Sequence, residues 1–379
     1  MRIAVIGGGP GGLYFAYLWK LRHPDAQVEL FEQNPSGATW GFGVVFSDQA
    51  LEFLRADDPG TVDAIAPHME QWRNITLNLR GERVEIDGVG FSAIGRLVLL
   101  SMLQSRALAA GVVLRHETAV QSVDQLSDYD LIVGADGLNS LVRRSFEGDF
   151  GFSISYSSNK FAWYGTGKTF ATLSQTFVAT ERGAFNAHHY RYSPSMSTFL
   201  VECDRATWQA YDFAEKSIEE SKAICEEVFA DALDGHALES NRSVWRNFPW
   251  IWNTHWSHRN MVLIGDALHT AHFSIGSGTR LAIEDAIALV KALEAEASIR
   301  DALARYEAVR KPIVQKLVTA ARASAAWYEN FPAHMKLSLM DFGYSYITRS
   351  GRIDDARLNA MSPQFMARHG AARKGGSAS

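Results

Sequence analysis

Cysteine is scarce. Cys203 and Cys225 are the only two among 379 residues, far apart and without C-x-x-C spacing. That excludes a disulfide framework or a structural zinc as the organising principle, and a reducing, cytoplasmic setting is expected. A basic excess is also missing. The formal net charge is −5, so nucleic acid is not an expected partner. No uninterrupted apolar stretch is long enough to span a bilayer. The N-terminal arginine and the apolar run after it superficially mimic a signal peptide, but glycines inside that run favour a mature domain. No internal repeat is evident. No serine–histidine–acid constellation has convincing context. His188 and His189 are adjacent, and His269 and His272 are three apart. A catalytic metal typically needs three ligands and an open position; no third partner is marked, and no metal is expected.

What is present begins at the N-terminus. Arg2 to Ile6 is a short apolar run suited to a buried parallel strand. Gly7, Gly9 and Gly12 then satisfy G-x-G-x-x-G, a helical pattern follows, and a second strand pattern ends at the acid Glu32. Strand, glycine turn, helix, strand and acid is the context that gives this motif meaning. Such glycines allow a tight turn and close approach to a pyrophosphate, and the helix N-terminus offers free N–H groups. Glu32 is placed to accept from a ribose diol. Only one such fingerprint occurs, so a second dinucleotide domain is not expected and a nicotinamide cofactor would visit transiently.

Two more stretches complete the pattern. One runs Asp130-Leu131-Ile132-Val133-Gly134-Ala135-Asp136-Gly137, with Ser140 and Arg143 after it. The other is Gly265-Asp266-Ala267-Leu268-His269, followed by Gly276-Ser277-Gly278. In this order the three resemble the fingerprints of class A flavoprotein monooxygenases, the para-hydroxybenzoate hydroxylase-like family. The resemblance covers most of the chain and thins after about residue 331. It implies an α/β fold: a Rossmann-like FAD-binding domain, an interleaved antiparallel-sheet substrate domain, and C-terminal helices. It also implies FAD as cofactor, NADH or NADPH as transient reductant, O2 as co-substrate, and hydroxylation of an electron-rich aromatic ring through a flavin hydroperoxide. Asp266 would then bond the ribityl chain, Asp136 would lie near the pyrophosphate, and Arg96 would touch the flavin; an ordinary solvent-facing arginine is the alternative for Arg96. Many members carry proline at the place of Ser274.

The rest of the chain reads by periodicity. Residues 96–109 suit a helix with Leu97, Leu100, Leu103 and Leu108 on its apolar side. Residues 280–296 suit another, starting after Gly276 and Gly278, where its N-terminus can stabilise charge on a reduced flavin. Asp285 matches a common family aspartate or is a plain surface acid. Residues 302–328 read as a long helix containing Pro312. Between about 152 and 203 the pattern becomes β-like, with runs at 160–165, 175–179, 185–190 and 196–202; strands from 72–86 are expected to join them. The boundaries expected are 1–70, 88–150 and 258–330 for the flavin domain, 71–87 and 151–257 for the sheet domain, 331–367 for C-terminal helices, and 368–379 for a disordered tail.

Substrate contacts are read from the sheet. Trp163 and Tyr164 could shape an aromatic pocket. One of His188 and His189 could face the ring, because strand neighbours point oppositely; a base there would sharpen a phenol's nucleophilicity. Core packing competes for both histidines, and for the dense aromatics between 245 and 252. Catalytic candidates are thus His188, His189 and Tyr164.

Runs such as 159–166, 196–203 and 272–279 resemble a subgroup in which Ser274 is normal. It holds salicylyl-CoA 5-hydroxylases, the monooxygenase half of anthraniloyl-CoA monooxygenase/reductase, and the violacein-pathway tryptophan hydroxylase. That implies a CoA thioester, with salicylyl-CoA to gentisyl-CoA as the leading reaction. The chain ends without an old-yellow-enzyme-like half, so hydroxylation alone is expected. Lys160, Lys168, Arg349, Arg352 and Arg357 are candidate cations for the CoA phosphates, and Trp163, Tyr164, Lys160 and Arg349 are the substrate-binding set. Hydroxylation of anthraniloyl-CoA or an indolic substrate, and a flavin-dependent reductase, stand as alternatives. No membrane span is expected, and a monomer or homodimer is.

Overall fold

The computed structural model describes residues 1–39 and 41–376. A six-stranded sheet forms the flavin half. Its spatial order is Ser257–His258, Met261–Leu263, Leu131–Gly134, Arg2–Ile6, Gln27–Phe31 and Val113–Arg115. All neighbours are parallel except the first pair. Ile3, Ala4 and Val5 have no exposure, as a strand covered on both faces requires. Helix Pro10–Arg22 packs on this sheet between helices Arg96–Ala110 and Gly278–Ala295. The Arg96–Ala110 stripe differs from the expected one. Leu99, Leu100, Leu103 and Ala107 are buried, whereas Leu97 and Leu108 face solvent.

The second half is a large, mainly antiparallel sheet built on the long strand Phe152–Thr166, with Met196–Cys203, Gly183–Ser193 and Leu173–Thr180 beside it. Ile75–Leu79 joins as a parallel neighbour of Leu173–Thr180 and carries its hairpin partner Glu82–Ile86. Glu70–Trp72 goes elsewhere, into a three-stranded sheet with Gly43–Ser47 and Phe91–Gly95. This small sheet stands where the two halves meet.

Helix Ile299–Glu329 runs 31 residues with Pro312 inside it, and further helices at Leu339–Thr348, Asp355–Met361 and Pro363–Gly376 follow. The expectation of disorder from residue 368 is corrected through Gly376; residues 377–379 lie outside the described part. Phe365 and His369, four apart on one helical face, are buried. The His369 ring stacks on Tyr344 at 4.8 Å and its Nε2 meets Asp341 Oδ1 at 3.0 Å. Asp87 accepts from the Gln364 and Phe365 N–H groups, and Arg368 donates to the Glu85 carbonyl, so an otherwise small and polar helix is held in place. No helix among the described residues is long and apolar enough to cross a membrane.

Candidate active site

One cavity of about 950 Å³ runs between the halves. Its floor is the glycine turn, and each glycine there has its own reason. Gly7 has φ +105, and a Cβ on it would strike the Ala135 carbonyl. A Cβ on Gly12 would strike the Gly7 carbonyl. Gly9 is different: nothing lies within 4 Å of its missing Cβ, and it lines the cavity. Helix Pro10–Arg22 starts there with no side-chain cap, so its first N–H groups stay free for an anion. Glu32 is half-buried. Its Oε2 accepts from the Gly8 N–H at 2.7 Å, and its Oε1 accepts from Asn34 N and Nδ2 at 2.8 and 2.6 Å. The acid therefore braces the glycine turn, leaving its remaining lone pairs for a ribose.

The opposite wall is helix Gly278–Ala295. Gly276, Ser277 and Gly278 line the cavity, Gly276 at φ +59 with Val45 too close for a Cβ, and Gly278 with open space before it. This second helix N-terminus is likewise uncapped by any side chain. Asp266 projects from the wall, exposed only to the cleft. Being enclosed raises its carboxyl above the usual range, and His269 and Arg96 pull it back. Arg96 lines the cavity too, held by its Nε to Thr39 Oγ1 at 3.1 Å. Burial lowers its guanidinium while Asp266 supports the charge. Asp136 accepts from Leu141 N at 2.6 Å through Oδ2, and its buried Oδ1 has no partner among the described residues. Two open helix N-termini, an unpartnered buried carboxylate oxygen and an acid aimed into the cleft fit a long, phosphorylated, polyhydroxylated cofactor.

Behind this wall lies a buried charge cluster. Asp285 is fully buried. It accepts from Gly265 N at 3.1 Å, meets His269 Nε2 at 2.8 Å, and accepts from Arg310 Nε at 2.9 Å. Burial alone would raise its carboxyl, but His269 and Arg310 overcome this and hold it near 2. Arg310 also pairs with Glu284 at 2.8 Å. Of the two readings of Asp285, the surface acid is excluded. Arg143, also buried, ties the motifs together by donating to the Ala267 carbonyl at 2.8 Å and to the Leu138 carbonyl.

The roof is the large sheet, and strand alternation sorts the candidates. Phe161, Trp163, Gln175, His188, Tyr190, Thr198 and Leu200 face the cavity. Tyr164 and His189 do not. Tyr164 has no exposure and sits in a separate core with Phe199, Phe229 and Cys225. Burial raises its hydroxyl, which lies beside the Cys225 thiol. His189 is wedged between Phe170 and Phe199, at 4.0 and 5.2 Å, with Nε2 at 2.8 Å from Thr176 Oγ1. Lys160 shares the parity of Tyr164 and lies over the Trp208 ring at 4.7 Å. These three expectations are corrected for one reason: the adjacent residues have the cavity side. Cys203 and Cys225 are buried free thiols.

His188 reaches the cavity but offers no free nitrogen. The Tyr328 hydroxyl donates to Gln175 Oε1, which presents Gln175 Nε2 to His188 Nδ1 at 3.0 Å. The proton then belongs on Nε2, facing Glu202 Oε2 at 3.3 Å. Burial, and then Arg349, push the imidazole down to about 3. Glu202 went unnoticed in the sequence. Burial raises its carboxyl, and Asn159 Nδ2 donates to it at 2.8 Å. The available signal was an acid inside the apolar run 199–203.

Arg349 lines the cavity with its guanidinium committed. It donates to Ser324 Oγ at 3.0 Å, the Tyr346 carbonyl at 2.6 Å and the Ser274 carbonyl at 2.8 Å. Ser274 Oγ meets His272 Nδ1 and Ser324 Oγ, each at 2.8 Å. The turn at Ser274 is thus held by hydrogen bonds. Lys168 is tied to Asp234 at 2.6 Å, away from the cavity, whereas Arg352 and Arg357 line it.

A cradle for a dinucleotide, opening under an antiparallel roof onto an aromatic chamber, defines a class. Residues 1–321 match the FAD binding domain family, so the chain belongs to it, and it is an FAD-dependent monooxygenase of the aromatic hydroxylase class. Within that class it is 42% identical to a salicyloyl-CoA 5-hydroxylase of a Streptomyces species, over 92% of this chain and 70% of that protein. It is 37% identical to a 3-hydroxy-4-methyl-anthranilyl aryl-carrier-protein 5-monooxygenase of Streptosporangium sibiricum, covering 93% and 95%. Protodeoxyviolaceinate monooxygenase of Chromobacterium violaceum is 33% identical, covering 96% of each. The fold matches crystalline 2-methyl-3-hydroxypyridine-5-carboxylic acid oxygenase with TM-score 0.72 at 19% identity, covering 95% and 96%.

Proposed function

We propose that this monooxygenase hydroxylates the ring of an aromatic CoA thioester, with salicylyl-CoA to gentisyl-CoA as the reaction. The observation that carries the reading is the cavity's composition: an aromatic chamber of Phe161, Trp163, Phe248 and Phe273 leads away from the flavin cradle to an arginine-lined opening. Phe161 and Phe273 pack on each other at 4.9 Å, and Phe248 stands edge-on to Phe273 at 6.0 Å, an aromatic wall against which a flat ring can pack.

Bound FAD, reduced by NADH or NADPH, supplies activated oxygen. The protein's part is to bind, aim and exclude water. The free N–H groups at the two helix starts would take negative charge, Asp266 the ribityl hydroxyls, and Arg96 the flavin rim. Gln175 and His188 form the polar corner of the chamber. Because both nitrogens of His188 are engaged, it does not remove the ring's proton; the second hydrogen of Gln175 Nε2 is the group left to orient the donor substituent. A phenol donor activates the ortho and para positions, and para is less crowded. The test offers enzyme, FAD and NADH salicylyl-CoA, anthraniloyl-CoA, free salicylate and indolic acids, with products weighed by mass spectrometry. A gentisyl product from the thioester at a kcat/KM at least tenfold above free salicylate is expected. Equal values for the two, or turnover of indoles alone, would refute the reading.

A further inference from the structure

The cavity's charge is opposite to the chain's. Seven arginines and a single acid, Asp266, line it among the described residues, in a protein of net charge −5. Arg96 belongs to the flavin end. Arg349 is occupied by Tyr346, Ser274 and Ser324. Arg280, Arg352 and Arg357 stand together at another opening, with two of the three exposed. That opening lies between the start of helix Gly278–Ala295, the turn at 88–91, and the C-terminal segment at 350–361. The segment is seated firmly: any Cβ on Gly88 would strike the Met361 carbonyl.

The three guanidiniums are unevenly neutralised. Arg280 Nε is held by Glu284 Oε1 at 2.6 Å. Although its side chain is exposed, desolvation by the surrounding mouth, and then the charges of Arg280 and Arg357, lower the Arg352 guanidinium. Among the described residues the Arg357 guanidinium donates only to the Arg352 carbonyl, at 3.4 Å. Like charges gathered at a partly enclosed mouth repel one another unless an anion lies among them. Arginine's planar fork suits phosphate in particular. Between this mouth and the aromatic chamber, Val89, Phe91 and Ile353 line an apolar path.

We propose that Arg280, Arg352 and Arg357 form a subsite for the phosphates of a CoA nucleotide, with the pantetheine arm lying along Val89, Phe91 and Ile353. The inference rests on the thioester reading above and assigns that reading's recognition to specific side chains. It separates a CoA ester from an acyl group on a carrier protein, since only the former brings a nucleotide with three phosphates.

The test is the double variant Arg352→Ala/Arg357→Ala, compared with wild type on salicylyl-CoA, salicylyl-dephospho-CoA, salicylyl-pantetheine, a salicylylated carrier protein and free salicylate. Both positions are exposed, and unchanged FAD content and melting temperature establish that the variant is folded. The KM for salicylyl-CoA should rise at least tenfold with kcat within twofold. The KM for salicylyl-pantetheine should not move, and the salt dependence of KM for the CoA ester should weaken. An unchanged KM for the CoA ester overturns the subsite, as does an equal rise on the pantetheine ester. So does a wild-type preference for a carrier-protein-bound acyl group that survives the double substitution. If wild type uses free salicylate as well as the thioester, the thioester reading fails. If wild type prefers the CoA ester over the pantetheine ester and the double variant keeps that preference, only the arginine assignment fails.

Discussion

Replacing Asp285 by asparagine should destabilise the protein and loosen its hold on FAD at once. Asp285 is fully buried and serves three partners: Gly265 N, His269 Nε2 and Arg310 Nε. The amide keeps the volume and one acceptor but removes the charge. Breaking a buried ion pair from one side costs about 3–5 kcal/mol, because the partner's charge is left uncompensated. Here Arg310 retains Glu284 at 2.8 Å, so the lower end applies, about 3 kcal/mol or roughly a hundredfold in the folding equilibrium. The Gly265 N–H is the second loss, and it lies next to Asp266. Without its anchor the turn that aims Asp266 into the cleft gains freedom, so flavin binding should weaken more than a distant substitution of equal stability cost would weaken it. Denaturant unfolding of wild type, Asp285→Asn, Arg310→Met and the double variant measures the coupling, and FAD per protein after dialysis measures the second effect. A loss below 1 kcal/mol, or a destabilised variant that retains flavin fully, would refute this account of the cluster.

Three further outcomes follow from the geometry. Asp266→Ala should weaken FAD binding about tenfold to a hundredfold, the worth of hydrogen bonds to a charged acceptor; equal flavin affinity by fluorescence titration would remove Asp266 from the ribityl site. Tyr164→Phe should leave kcat, KM and stability nearly unchanged, since the hydroxyl faces a buried thiol rather than the cavity, whereas Tyr164→Ala should cost about 3–5 kcal/mol as a core truncation; a tenfold fall in kcat for Tyr164→Phe would restore it to the active site. His189 is held neutral, its ring pushed down to about 3 by burial and then by His188. Its folded value lies below the unfolded one of about 6.5, so its contribution is complete above pH 6.5 and is lost as pH falls toward 3. Between pH 5.5 and 4.5 that amounts to about 1.4 kcal/mol, and His189→Gln should show a correspondingly shallower decline in denaturant experiments; parallel slopes would contradict the buried neutral ring.

What could be read in advance was what is local. The glycine turn, its flanking strands and Glu32 are contiguous, and their chemistry is written in one stretch of chain. The helix after Gly278 is also legible, and so is the inward side of its acid. Asp285 stands four residues after Leu281 and four before Leu289, both buried, so helical spacing alone puts it on the inward face. The tail helix has little apolar content, and Phe365 and His369 matter only through distant partners, Gly343 and the core around it for Phe365, Tyr344 and Asp341 for His369.

The sheet shows a different limit. Period two says that Lys160, Ala162 and Tyr164 share one face and Phe161 and Trp163 the other. It does not say which face is the roof when both are apolar. Here both are, because helices Arg205–Ala210 and Ile218–Val228 cover the far side and build a second core there. A one-sided sheet would have declared its buried face by polarity, but this one is enclosed on both faces. The parity had to come from outside the strand, from what lies across the cavity. Arg280, Arg352 and Arg357 carry the point further. Two are five residues apart and the third is some seventy residues away, and each alone reads as a solvated surface charge. They become a site only because the C-terminal segment crosses the turn at 88–91 and lays its arginines beside the start of helix Gly278–Ala295.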